Sequence, residues 1–151
     1  MIPLEQSVKN RIAHMRDSAR ERLTAAHLLE EQFTTCDSSY LLKLLALEIL
    51  LKACHLAYCG EPGRHHRYNE FFDPIPEKVR ERVLTKAAVR FPSYTDFSDP
   101  SALLAKYGEY FIELRYYYDH FGKEYSYSPY ELAGLVEALL EEADALADTS
   151  L

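Results

Sequence analysis

The chain has 151 residues, one domain's worth, since domains cluster around roughly 100 to 150 residues. A formal charge of −7, from 17 Lys and Arg against 24 Asp and Glu, excludes a generally basic surface of the kind that binds duplex nucleic acid nonspecifically. Its 5 glycines and 7 prolines make about 8% of the chain against roughly 12% in average usage, which argues against a turn-dense sandwich or a disordered linker, and 48% hydrophobic residues suffice for a core.

A single all-α domain over residues 1–151 is therefore the expectation, an antiparallel bundle of four to five helices. Between Leu4 and Phe33, apolar residues recur every three or four positions through Val8, Ile12, Met15, Ala19, Leu23, Ala26 and Leu29, the pattern of a long amphipathic helix. The turn Thr34 to Ser39 is rich in N-cap residues, so a second helix is predicted from Ser38 or Ser39 to Cys59, stopped by Gly60. This helix is apolar on nearly every face, which places it at the centre of the bundle. Lys43, Glu48, Lys52 and His55 interrupt it, so it reads as a buried helix and not as a membrane span.

Arg67 to Phe72 is expected to form a short helical turn, and Pro76 opens a helix from about Glu77 to Arg90. After an aromatic loop from Phe91 to Asp99, the Asp99-Pro100 pair caps a helix predicted to reach Gly122. Ser128-Pro129-Tyr130-Glu131 reads as a capping box before the last helix, which carries Leu132, Leu135, Val136, Leu139, Leu140, Ala143 and Leu146 inward. The first residues lack the basic and apolar regions of a secretory signal, and Cys36, Cys54 and Cys59 form no CxxC. Both features point to a cytoplasmic protein with reduced thiols and no membrane segment.

Composition carries one oddity: tryptophan is absent while tyrosine numbers 12. Part of that excess lies in Phe111-Ile112-Glu113-Leu114-Arg115-Tyr116-Tyr117-Tyr118-Asp119-His120, which contains Arg-x4-His. Together with Ala46-Leu47-Glu48-Ile49-Leu50-Leu51-Lys52-Ala53 and Gly63-Arg64-His65-His66-Arg67-Tyr68, which leads through Phe71-Phe72 to Ile75-Pro76, this tract resembles in order and spacing the helical HEPN family (higher eukaryotes and prokaryotes nucleotide-binding). The resemblance covers roughly residues 20 to 146.

The resemblance implies a homodimeric helical bundle in which Arg-x4-6-His pairs from two subunits meet in a cleft, with no cofactor. Many such domains are metal-independent endoribonucleases; others are toxins paired with a small nucleotidyltransferase antitoxin, or inactive RNA- and nucleotide-binding modules. Arg115 and His120 match the catalytic pair, Glu48 the polar position of the central helix near that arginine, and His66 a histidine often found before the short helix. With Tyr116 and Asp119, Glu48 and His66 complete the candidate binding set. Two positions depart from the pattern: active members commonly place Asn, Asp or His where Tyr116 stands, and the toxin subgroup has Tyr where this chain has Gly122.

The residues themselves suit such chemistry. RNA cleavage without a metal needs a group near neutral pKa, the role of His120, and a fixed cation for the pentacoordinate phosphate, the role of Arg115. Five residues at about 100° each set the two side chains roughly 140° apart on a straight helix, so a distorted helix or a second subunit must bring them together. The consecutive tyrosines offer stacking surfaces for unpaired bases, at most two of them in one groove.

Plainer readings stand beside these. Arg115 and Asp119 are spaced for a surface ion pair, and His120 for capping a helix C-terminus. Glu48 either pairs with Lys52 or faces a buried cation, for which Arg115 is the candidate. Arg64-His65-His66-Arg67 is either a phosphate contact or a solvated loop. Cys54, Cys59, His65 and His66 match no common zinc spacing, so no metal site is expected. The loop around Phe91, Tyr94 and Phe97 is a lid, a dimer contact or local packing.

Overall fold

The computed structural model describes residues 3–33, 36–115 and 129–148. They form six helices and, among the described residues, no strand: α1 (Gln6–Gln32), α2 (Asp37–Cys59), α3 (Tyr68–Phe72), α4 (Glu77–Arg90), α5 (Pro100–Leu114) and α6 (Pro129–Ala147). The protein is thus all-α, as its periodicities require. None of these helices is long and apolar enough to cross a membrane.

Helix α2 is the central element. It packs against α1, α3, α5 and α6, and Leu44, Leu47, Leu50 and Leu51 have no exposed surface. Each such leucine contributes roughly 1.5–3 kcal/mol of hydrophobic stabilisation. On α1, Ala19 and Ala26 are wholly buried, so the small side chains lie toward the bundle, whereas Phe33, in extended backbone just past the helix, is 56% exposed.

The termini follow local chemistry. Gly60 ends α2 at φ 89°, where a Cβ would be strained. Asp99 accepts a hydrogen bond from the Ala102 backbone N–H (3.1 Å), with Pro100 in the first turn of α5. Helix α2 begins at Asp37, slightly ahead of the expected Ser38 or Ser39, because Ser39 does not cap. Its hydroxyl instead donates to the Cys36 carbonyl (2.9 Å) inside the first turn. The described part of α5 stops at Leu114, and its expected course to Gly122 and the Ser128 cap lie outside the described residues.

Ion pairs report how the outer helices run. Arg82, Lys86 and Arg90 along α4 meet Glu142, Glu141 and Glu137 in reverse order along α6, so the two run antiparallel. They approach closely because Gly134 faces Ala87: a Cβ on Gly134 would fall 2.5 Å from the Ala87 carbonyl oxygen. Asp144 of α6 binds Arg16 (3.3 Å) and Arg20 (2.8 Å) of α1, closing that side of the bundle.

Candidate functional site

A carboxylate on a helix as apolar as α2 must find compensating partners, because desolvating its charge alone costs several kcal/mol. The Glu48 side chain, only 5% exposed, has two. Its Oε1 lies 2.7 Å from Nδ1 of His66, and its Oε2 lies 3.4 Å from Nζ of Lys52. An ionised carboxylate only accepts, so the shared hydrogen sits on Nδ1 and leaves Nε2 outside that bond. The Lys52 ammonium also stands 5.5 Å from the centre of the Phe71 ring, a cation–π distance.

His66 lies on the loop before α3, and α5 fixes where that loop runs. Gly108 makes this possible: a Cβ there would fall 2.5 Å from the His66 carbonyl oxygen and 3.3 Å from the Tyr68 nitrogen. Tyr68 then inserts fully into the core and donates its hydroxyl to the Leu44 carbonyl of α2 (2.8 Å). One element of α5 links the two basic groups. The His66 ring is 5.3 Å from the Phe111 ring, and the Arg115 guanidinium lies 5.0 Å over the same ring. Burial, followed by the Glu48 charge, pushes the Tyr68 phenol well above its ordinary range, while Arg115 pulls it back, so both charges are felt at this place.

Glu48, His66 and Arg115, drawn from three separate stretches of sequence, thus come together near Tyr68, with His66 and Arg115 both against Phe111. Both Glu48 oxygens are engaged as described, by His66 and Lys52, and Arg115 enters the cluster through Phe111. The remaining candidates, Tyr116, Asp119 and His120, lie outside the described residues.

The neighbouring basic loop divides by role. His65 stacks on Phe71 (4.7 Å, 8° between planes), accepts from the Arg67 backbone N–H at Nδ1 (3.1 Å) and places Nε2 3.1 Å from Glu70. Arg64 is exposed. No three His, Cys, Asp or Glu residues group as metal ligands among the described residues. In the aromatic loop, Phe97 packs against the core, while Phe91 and Tyr94 lie 5.2 and 5.0 Å from the Tyr130 ring at the start of α6. Glu131 there accepts from the Asp96 backbone N–H (2.9 Å), tying this loop to α6.

A further buried carboxylate, besides Glu48 and Glu131, is one that the sequence did not single out. Glu142 of α6 receives Arg82 through two hydrogen bonds (3.1 and 2.5 Å) and the Tyr58 hydroxyl through one (2.7 Å). Burial works to raise its pKa, but the hydrogen bonds from Arg82 and Tyr58 outweigh that and hold the carboxyl below its ordinary value. The same burial, with the charge of Glu142 added, pushes the neighbouring Cys54 thiol up to about 12. Its signal in the sequence is a carboxylate between Leu139 and Leu146 on the apolar stripe of α6. Arg82 and Tyr58 thus both bind the one carboxylate of Glu142.

Compared with family models, curated proteins and solved structures, the chain matches none.

Proposed function

We propose that this chain is a HEPN-like, cytoplasmic, homodimeric RNA-binding protein that cleaves RNA without a metal, with Arg115 and His120 as its catalytic residues. The observation that supports the reading is the Glu48–His66 hydrogen bond with His66 and Arg115 both against Phe111, since the resemblance selects the same three residues from distant stretches.

In this reading His120 takes the proton of a ribose 2′-hydroxyl as the 2′-oxygen attacks the adjacent phosphorus. The bond from phosphorus to the 5′-oxygen breaks, the leaving oxygen takes a proton from solvent, to which His120 then returns the one it removed, and the products end in a 2′,3′-cyclic phosphate and a 5′-hydroxyl. Arg115, held over Phe111, binds the non-bridging oxygens as their charge grows. Glu48 fixes the ring of His66, whose Nε2 contacts the phosphate backbone, and Tyr116 and Asp119 border the strand. A nucleotidyltransferase-type antitoxin is the partner this reading anticipates if the protein is a toxin.

The test is incubation of the purified protein with mixed RNA in EDTA. Cleavage that disappears in both Arg115→Ala and His120→Ala is the expected result. No cleavage, or cleavage indifferent to both changes, overturns the enzymatic reading and leaves a binding or interaction module built on the same cluster.

A further inference from the structure

Where the loop from Phe91 to Asp99 meets the start of α6, three aromatic rings gather. The Tyr130 ring lies 5.2 Å from Phe91 and 5.0 Å from Tyr94, and Tyr94 and Tyr130 are 65% and 38% exposed. The loop that carries them is held in shape by its own backbone. The Tyr94 N–H and the Thr95 hydroxyl both donate to the Phe91 carbonyl (3.0 and 3.2 Å), and the Asp96 N–H donates to Glu131 of α6 (2.9 Å). An aromatic surface fixed in this way loses little freedom when a partner lands on it, which favours binding.

The charge beside these rings has one sign. Asp96 and Asp99 of the loop are exposed, and Glu131 directly follows Tyr130. The three carboxylates accept from the backbone N–H groups of Ser98, Ala102 and Asp96 in turn (2.9, 3.1 and 2.9 Å), and none has an ion-pair partner among the described residues. Hydrogen bonds from the Ser98 hydroxyl and N–H hold the Asp96 carboxyl below its ordinary value, so it stays charged. Arg90, just before the loop, is taken by Glu137. Glu131 is only 6% exposed, and its Oε2 is buried without a hydrogen-bond partner. A carboxylate so placed acts through weakly polarisable surroundings, and a cation on the neighbouring rings gains from it without touching it. The rings hold no cation of the chain: the cation–π contacts of the described residues lie at Phe71 and Phe111. Aromatic faces and uncompensated carboxylates both recognise positive charge. A guanidinium satisfies the two together, because it stacks flat on a ring while its edge forks to a carboxylate.

We propose that this surface docks an arginine side chain presented by a basic segment of a partner protein, with the guanidinium stacked on Tyr94 and Tyr130 and paired with Asp96. The excess of carboxylates in the chain, 24 against 17 Lys and Arg, adds a long-range attraction for such a segment. No residue of the ribonuclease reading takes part, so either can fail alone.

The test is an NMR titration of the full chain with a capped tri-arginine peptide and with the tri-citrulline peptide, its uncharged isostere. Tri-arginine is expected to shift the amide resonances of Tyr94, Asp96 and Tyr130, and tri-citrulline to leave them in place. Affinity should fall roughly two- to fivefold in each of Tyr94→Leu and Asp96→Asn, the scale of one exposed cation–π contact or ion pair, and persist in Tyr94→Phe, which keeps a ring. Both positions are exposed, and the amide oxygen introduced by Asp96→Asn can still accept from Ser98, so the variants are expected to fold; unchanged circular dichroism verifies it. Equal shifts with tri-citrulline, shifts confined to other parts of the chain, no binding at millimolar peptide, affinity unchanged in either Tyr94→Leu or Asp96→Asn, or an equal loss in Tyr94→Phe and Tyr94→Leu overturns the proposal. So does movement of the same resonances with protein concentration alone, which would show a second copy of the chain on this surface.

Discussion

Nδ1 of His66 donates to the Glu48 carboxylate across 2.7 Å, joining the loop before α3 to the apolar central helix α2. The partners sit 18 residues apart, and the contact is half-sheltered: the Glu48 side chain is 5% exposed and the His66 side chain 36%. Such a bond is worth more than a surface pair and less than a fully buried one.

Glu48→Ala should therefore cost about 2 kcal/mol of unfolding free energy, since it strands His66 and Lys52 beside an apolar helix. His66→Ala should cost less. In a double-mutant cycle by urea denaturation, the two losses should fall short of additivity by roughly 1 kcal/mol. Strict additivity would mean that the bond contributes nothing in solution.

Gly108 and Gly134 provide a paired test of how backbone approach sets the site. A Cβ at either position meets a carbonyl oxygen at 2.5 Å, so each Gly→Ala change should destabilise by about 1–3 kcal/mol. Only Gly108→Ala displaces the His66 carbonyl. Of the two variants, it alone should shift the His66 imidazole resonances in NMR spectra, and equal shifts in both would contradict the geometry.

Glu142 makes acid stability predictable in sign. Its folded pKa lies below the ordinary 4.5, so its contribution is complete above that value and is lost as pH falls through the lower, folded one. Glu142→Gln should lower stability at neutral pH and flatten the pH dependence below about 4.5. A variant whose thermal midpoint follows the wild-type pH curve in parallel would refute this.

Cys54 and Cys59 should differ in reactivity. Burial and Glu142 hold Cys54 at about 12, so iodoacetamide at neutral pH should modify it only after unfolding, whereas exposed Cys59 reacts in the native protein. Peptide mass spectrometry of labelled native and urea-unfolded protein reads both sites. Labelling of Cys54 at the Cys59 rate under native conditions would show that the α2–α6 contact opens readily.

What the sequence determined by itself was local and periodic. The 3.6-residue spacing, Gly60, Pro76 and the Asp99-Pro100 pair placed the helices, and the uniformly apolar α2 declared itself central, because these signals reside within a turn or two of chain. Glu48 could be singled out as a carboxylate needing compensation, though its partners ranged over Lys52 and Arg115. Tertiary structure decided that Lys52 and His66 hold its oxygens and that Arg115 joins through Phe111. It alone brought Tyr58, Arg82 and Glu142 together, each ordinary by itself as a polar residue on an amphipathic helix. It alone gave Gly108 a purpose, since a glycine inside a helix is unfavourable until another backbone occupies the space a methyl would take. Periodicity fixes which face of a helix is buried; which groups meet across that face depends on the rotation and offset of helices far apart in sequence, and these are set by packing.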